Sequence, residues 1–106
     1  MHGKILVVDA IATNRIMLRV KLEAGHYEMM QADSIGAAMR VIATSVPDMI
    51  LCADTLPDGD PLRLLARLGK AELQGKVPVI VLAAPGAKVD RHRLFAEGIE
   101  DILERP

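Results

Sequence analysis

Aromatic side chains are nearly absent: Tyr27 and Phe95 stand alone among 106 residues, and there is no tryptophan. Binders of single-stranded nucleic acid stack bases on aromatic platforms, which this chain lacks. Positive charge is not in excess either, since the net charge is −1, so nothing supplies the basic footprint that a phosphate backbone demands. The one basic cluster, Arg91-His92-Arg93, is too short for such a footprint and suits a solvated helix face. A single cysteine, Cys52, excludes an internal disulfide and a cysteine-rich zinc site; set in an apolar run, it acts as a small hydrophobe in a reducing, cytoplasmic setting. Long apolar runs are missing as well. Ile5 to Val8, the longest near the amino terminus, is far too short for a signal peptide or a membrane span, so a soluble, unprocessed protein is expected, with no membrane partner. No glycine-rich phosphate loop, internal repeat or low-complexity linker is present.

What remains is an alternation. Half the residues are apolar and a quarter charged, an ordinary globular balance at a length that suits one domain, residues 1–106. Ile5-Leu6-Val7-Val8 is a continuous, β-branched run closed by Asp9, as in a strand buried on both faces. Thr13 or Asn14 can cap a helix whose apolar positions Ile16, Met17, Val20 and Ala24 share one side, with Gly25 as its stop. A weaker strand is expected over 27–31. Ser34 then caps a helix in which Ile35, Ala38, Met39 and Ile42 follow the i, i+3, i+4, i+7 rule, broken by Pro47. The methionines fall on such apolar stripes and are expected to fill core. Met49 to Cys52 is a third strand, and Asp60-Pro61 opens a helix carrying Leu62, Leu65 and Leu68. Val77 to Leu82, a helix over about 88–97 ended by Gly98, and a short strand from Ile99 to Leu103 complete the order.

Alternating strands and helices imply a parallel sheet with right-handed crossovers and helices on both faces, a doubly wound α/β domain. Ligands of such domains lie at the carboxyl ends of the strands, where strand order reverses. That rule selects Asp9-Ala10, Ala53-Asp54, Ala83-Ala84 and Glu104-Arg105 for inspection. The stretch LCADTLPDGDP over 51–61 is the most acidic of these regions, with Asp54, Asp58 and Asp60, although Ala53 closes the strand itself.

Together, ILVVD at 5–9, TNR at 13–15, PDMIL at 47–51, LPDGD at 56–60, PVIVL at 78–82 and DILERP at 101–106 resemble the receiver domain of two-component response regulators. The spacing from position 53 to 83 and on to 105 fits that family without gaps. The resemblance covers the whole chain and implies a five-stranded sheet in the order 2-1-3-4-5. VVD followed by TNR is further similar to receivers that precede diguanylate cyclases.

A working receiver, the resemblance implies, holds magnesium with two adjacent acids after strand one and an aspartate after strand three. That last aspartate also accepts a phosphoryl group, whose oxygens are held by a serine or threonine after strand four and a lysine after strand five. An aromatic residue on strand five acts as a switch. The chemistry needs a divalent ion and a fixed cation to offset charge on the transferred oxygens. Here the first acid is Asp9, but its neighbour is Ala10 and the acceptor position is Ala53. The hydroxyl position is Ala83, the aromatic position Ile102, and the lysine is replaced by Arg105. Pro61 takes the place of the glycine that follows the loop. With one carboxylate left of three, magnesium binding is expected to be weak or absent, and no other cofactor is expected.

Because successive strand residues point to opposite sides, Asp54 is expected to face away from the pocket unless the strand end bends; as a substitute acceptor it is the alternative reading. Asp58 and Asp60 suit turn and cap formation. Arg105 pointing inward could pair with Asp9 and with Asp54, a permanent bridge in place of an ion-dependent switch. The expectation is a non-enzymatic pseudo-receiver that works by protein contacts, through surfaces that include the fourth helix and fifth strand. Receivers carry a fifth helix after the lysine-proline pair, and this sequence stops at Pro106. A piece of a longer protein with a downstream output domain is therefore expected, with a homodimer or domain swap through the uncovered face as alternatives. A small-ligand-binding flavodoxin-like domain is a third reading, because alanines at strand ends open space.

Overall fold

Ile5 to Val8 form the centre of β1 (Lys4–Val8), and all four are buried, as a strand covered on both faces requires. The computed structural model describes residues 3–105; Pro106, the last residue of the DILERP stretch, lies outside the described residues. The other strands are β2 (Glu28–Ala32), β3 (Met49–Ala53), β4 (Val79–Ala83) and β5 (Asp101–Glu104). They pair in parallel in the order β2-β1-β3-β4-β5. The helices α1 (Ala12–Ala24), α2 (Ile35–Thr44), α3 (Pro61–Lys70) and α4 (Arg91–Glu97) make the crossovers. Strand order reverses between β1 and β3, and the crevice at their carboxyl ends is the place such a sheet offers a ligand.

Caps set most helix starts. Ser34 Oγ accepts from the Ala37 N–H at 3.1 Å, Asp60 Oδ1 from Arg63 at 3.1 Å, and Asp90 Oδ1 from Arg93 at 3.0 Å. Pro61 occupies the first turn of α3, where its missing N–H costs nothing. Gly98 stops α4 with φ 114°, a left-handed conformation open to glycine. Several bounds differ from the sequence reading: β2 runs over 28–32 rather than 27–31, β3 extends to Ala53, and β5 is Asp101–Glu104 rather than Ile99 to Leu103. β4 opens at Val79 because Pro78 has no N–H to offer the ladder, and α4 opens only after its cap at Asp90.

Two apolar cores flank the sheet. The larger joins Leu6, Val8, Ile50, Cys52, Val79 and Val81 to α2, α3 and α4; in α3 it takes Leu64, Leu65 and Leu68, whereas Leu62 is only partly buried. The smaller joins Ile5, Val7, Met29, Leu51 and Leu82 to Leu18 and Leu22 of α1. This corrects the reading of α1. Its expected core stripe faces solvent, with Ile16 at 61 %, Met17 at 54 % and Val20 at 66 % exposure, and none of its residues is fully buried. Nor do Thr13 and Asn14 cap it, since Ile11 holds the cap position and makes no side-chain bond. The physical reason is polar. Asn14, Leu18 and Leu22 lie four residues apart on one face, and the hydrogen bond of Asn14 Nδ2 to Asp9 Oδ2 at 3.2 Å pins that face inward.

Candidate functional site at the strand carboxyl ends

Asp9 follows the last residue of β1 and is 2 % exposed, a depth at which a carboxylate needs partners. It has them. Oδ1 accepts from the Ile11 N–H at 2.9 Å, an aspartate turn closing over the start of α1, while Oδ2 takes the Asn14 amide. Its carbonyl accepts from Arg15 Nη1 at 2.7 Å, and Arg15 Nε donates to Gln31 Oε1 at 3.0 Å, so one guanidinium ties the ends of β1 and β2 together. Sequence reasoning missed these roles of Asn14 and Arg15. The TNR stretch held the signal, because a donor five or six residues past a strand-end aspartate can return to it through the first turn of a helix.

Ala53 ends β3 with its methyl group buried, and Ala83 ends β4, also buried; Ala10 is exposed. Ile102 belongs to the larger core, under the helices rather than in the crevice. Asp54 does not face away from the pocket. It lies past the last strand residue, in a bend, where strand alternation no longer dictates direction. Its Oδ2 accepts from the Ala84 N–H at 3.3 Å, and its carboxylate lines the crevice with Asp9, Ala10, Leu56, Ala84 and Arg105.

Arg105 extends from the end of β5, its N–H bonded to the Ala83 carbonyl at 2.8 Å, and reaches both acids. Nη1 lies 3.6 Å from Asp9 Oδ2 and Nη2 lies 3.8 Å from Asp54 Oδ1. Both distances exceed a charge-assisted hydrogen bond, so these are ion pairs held by Coulomb attraction in a poorly hydrated site. Nη1 is shut off from solvent and has no hydrogen-bond partner among the described residues. The crevice thus sets one fixed cation against two carboxylates.

Magnesium does not fit this donor set. It asks for near-octahedral oxygen ligation, whereas one Asp9 oxygen is bonded to a backbone N–H, the other meets Asn14 and Arg105, and no cluster of three metal-binding side chains exists among the described residues. Cys52, behind Ala53, has its thiol pushed up by burial and by the charges of Asp9, Asp60 and Asp54, so it stays protonated and unreactive.

The loop after β3 is tied down by Asp58, whose carboxylate accepts from the Ile35 and Gly36 N–H groups, each at 2.9 Å, at the start of α2. These backbone bonds, Gly36 first, hold the Asp58 carboxyl below its ordinary value of 3.8. A group with a depressed folded pKa contributes its stability above the unfolded value and loses it as pH falls through the folded one. Asp58→Asn is therefore expected to lower the urea midpoint at neutral pH, with a difference from the parent that shrinks at about pH 3. Paired urea titrations at the two pH values check this.

A family model described as "Response regulator receiver domain" matches residues 5–106. The Phosphate regulon transcriptional regulatory protein PhoB of Pseudomonas aeruginosa is 36 % identical over 107 residues, covering 100 % of this chain and 47 % of that protein. Response regulator PleD of Caulobacter vibrioides is 31 % identical over 106 residues, covering 100 % of this chain and 23 % of that protein. The chain thus spans about half the length of one relative and about a quarter of the other. Among solved structures, a Francisella response regulator 1452 receiver domain superposes with TM-score 0.85 at 26 % identity, over 99 % of this chain and 85 % of that one. A response regulator receiver domain protein from Clostridium thermocellum has TM-score 0.85 at 23 % identity over 98 % and 82 %, a likeness of fold.

Proposed function

The chain belongs to the response regulator receiver domain family, and on that premise we propose that it is a pseudo-receiver, a domain that signals through protein contacts without accepting phosphate. The observation that carries this reading is the crevice itself. At the acceptor position stands the methyl group of Ala53, and the guanidinium of Arg105 lies between Asp9 and Asp54, where an ion-dependent site needs room for a divalent cation. A methyl group offers no lone pair to a phosphoryl donor. The missing hydroxyl at Ala83 and the core-bound Ile102 support the same reading, because the residues that would sense a phosphoryl group are replaced too. Magnesium binding is weak on this reading, and no other cofactor takes part.

The contact surface we assign includes α4 and β5, where Phe95 and Leu103 are exposed and Arg91 lies 5.8 Å from the centre of the Phe95 ring. Its natural partner is an output domain or a separate regulator; the TNR stretch favours an output of the diguanylate cyclase type, and a homodimer or domain swap at the sheet face beside α1 is the competing arrangement. No described helix is long and apolar enough to cross a membrane.

One observation favours a second reading: the Asp54 carboxylate faces the crevice and can be approached there. The experiment that separates the two is incubation with magnesium and acetyl phosphate, followed by intact mass and backbone NMR. No phosphoryl adduct is expected. A stable adduct that Asp54→Asn abolishes would replace the pseudo-receiver by an atypical phosphoacceptor.

A further inference from the structure

The crevice at the strand ends has more room than its ion pairs use. It spans about 600 Å³, within the range of small-molecule sites, and most of its walls are short and apolar: Ala10 and Ile11 after β1, Leu56 and Pro57 after β3, Ala84 and Ala87 after β4. Each pair comes from a different loop, so the walls converge where strand order reverses, the point at which such a sheet takes a ligand. Ile11 is 55 % exposed there, an apolar side chain that a ligand would cover. Apolar walls with a few converging polar groups are the usual form of a small-molecule site, and the polar groups decide which molecule fits.

Here they ask for a cation. Asp9 is almost wholly buried and both its oxygens are engaged, one with the Ile11 N–H and the other with Asn14 and Arg105. Asp54 differs: Oδ2 accepts from the Ala84 N–H, whereas Oδ1 has only the Arg105 guanidinium at 3.8 Å and receives no hydrogen bond from the described residues. Two carboxylates against one guanidinium leave the crevice one negative charge, carried by an oxygen with open lone pairs. On the other side of Asp54 a smaller cleft sets Lys88 and Arg93 against Asp60 and Asp90, so it adds no net charge. An anion gains little from Arg105, whose Nη1 is shut off from solvent and whose Nη2 is paired with Asp54. Magnesium fails for want of oxygen ligands, but an ammonium asks for one carboxylate and keeps water on its other N–H groups. We propose that the crevice binds a small primary amine with a compact apolar body, the ammonium donating to Asp54 Oδ1 and the body lying against Ile11, Leu56, Pro57, Ala84 and Ala87. The site goes beyond the pseudo-receiver reading and does not rest on it, since it uses Asp54 and the apolar walls and asks nothing of Ala53.

The test titrates three probes of similar shape into the isotope-labelled full chain at neutral pH, with neither magnesium nor a phosphodonor present: phenethylamine, phenethyl alcohol and hydrocinnamate. The amine is expected to bind with a Kd of about 1 mM or tighter and to shift the amide signals of Ala10, Ile11, Leu56, Ala84 and Ala87. The alcohol is expected to bind at least about tenfold more weakly, and the carboxylate more weakly still. Asp54→Asn, which keeps the shape of the side chain, is expected to bring the amine down to the affinity of the alcohol. Ala10→Leu, at an exposed wall position, narrows the crevice without touching the charges and is expected to weaken amine and alcohol alike by at least about fivefold, while the remaining spectrum stays that of the folded parent. Any one of four results overturns the proposal: alcohol or carboxylate binding as tightly as the amine, amine-induced shifts confined to residues outside the crevice, no saturation by about 10 mM amine, or an Asp54→Asn variant that keeps the parent's preference for the amine.

Discussion

Ala53→Asp alone is expected to leave the domain unlabelled by acetyl phosphate, and labelling is expected to appear only when Ala10→Asp, Ala83→Thr and Arg105→Lys accompany it. The nucleophile is one part of four. A carboxylate at position 53 would sit beside buried Asp9 with no divalent ion to screen either charge, because Asp9 is occupied by Ile11, Asn14 and Arg105. Ala10→Asp supplies the second metal-facing acid at an exposed position, and Arg105→Lys replaces a planar, two-pronged cation by a compact one that leaves room for magnesium. Ala83→Thr restores a donor toward the transferred oxygens. Loss of one such electrostatic donor costs a phosphoryl or acyl transfer site about 100-fold to 1000-fold in rate, so the single variant is expected to lag the quadruple one by at least about 1000-fold. Intact mass over time, with circular dichroism on each variant to confirm folding, reads the outcome. Fast labelling of the single variant would show that the crevice still assembles magnesium, and would undo the argument from Arg105.

The two levels of this protein were unequally legible. β1 announced itself through Ile5 to Val8, α3 through Asp60-Pro61, and the strand order followed from the resemblance, because burial on both faces and helix capping are local properties that short stretches encode. α1 was misread for a physical reason. Its sequence carries two helical apolar stripes, Leu18 with Leu22 and Ile16-Met17-Val20 with Ala24, and periodicity reports that a stripe exists without saying which one meets the sheet. The choice is made by Asn14, a polar residue that bonds across to Asp9, and such a bond has no signature in hydropathy. Asp54 was misjudged likewise. Strand alternation holds only as far as the strand, and the last paired residue of β3 is Ala53, so the next side chain is aimed by the bend and by the Ala84 N–H. In both cases a single polar contact overrode a pattern rule, and both contacts lie at the crevice.

Arg105→Ala is expected to destabilise the fold at neutral pH by about 2 kcal/mol and to lower the melting temperature by about 10 °C. Removing one partner of a buried pair costs about 3–5 kcal/mol when the remaining charge is stranded. The value here is smaller because Asp9 keeps the Ile11 N–H and the Asn14 amide, and because the Arg105 contacts, at 3.6 and 3.8 Å, are longer than hydrogen bonds. What is lost is the positive charge between two carboxylates, one of them almost wholly buried. Arg105→Met, which keeps much of the side-chain volume, is expected to lose nearly as much as alanine, whereas Arg105→Lys retains part of the stability; that order separates charge from packing. Arg67→Ala, on the exposed side of α3, is expected to change stability by less than about 0.5 kcal/mol. The same substitution reverses the crevice's response to divalent cations. With the guanidinium gone, two carboxylates face the opening without a counter-charge, so magnesium titration is expected to shift the Ile11 and Asn14 amide signals in Arg105→Ala at concentrations at least about tenfold below those the parent needs. A variant as stable as the parent, with the same response to magnesium, would mean that Arg105 merely rests beside the acids, and that the proposed loss of phosphate acceptance rests on Ala53 alone.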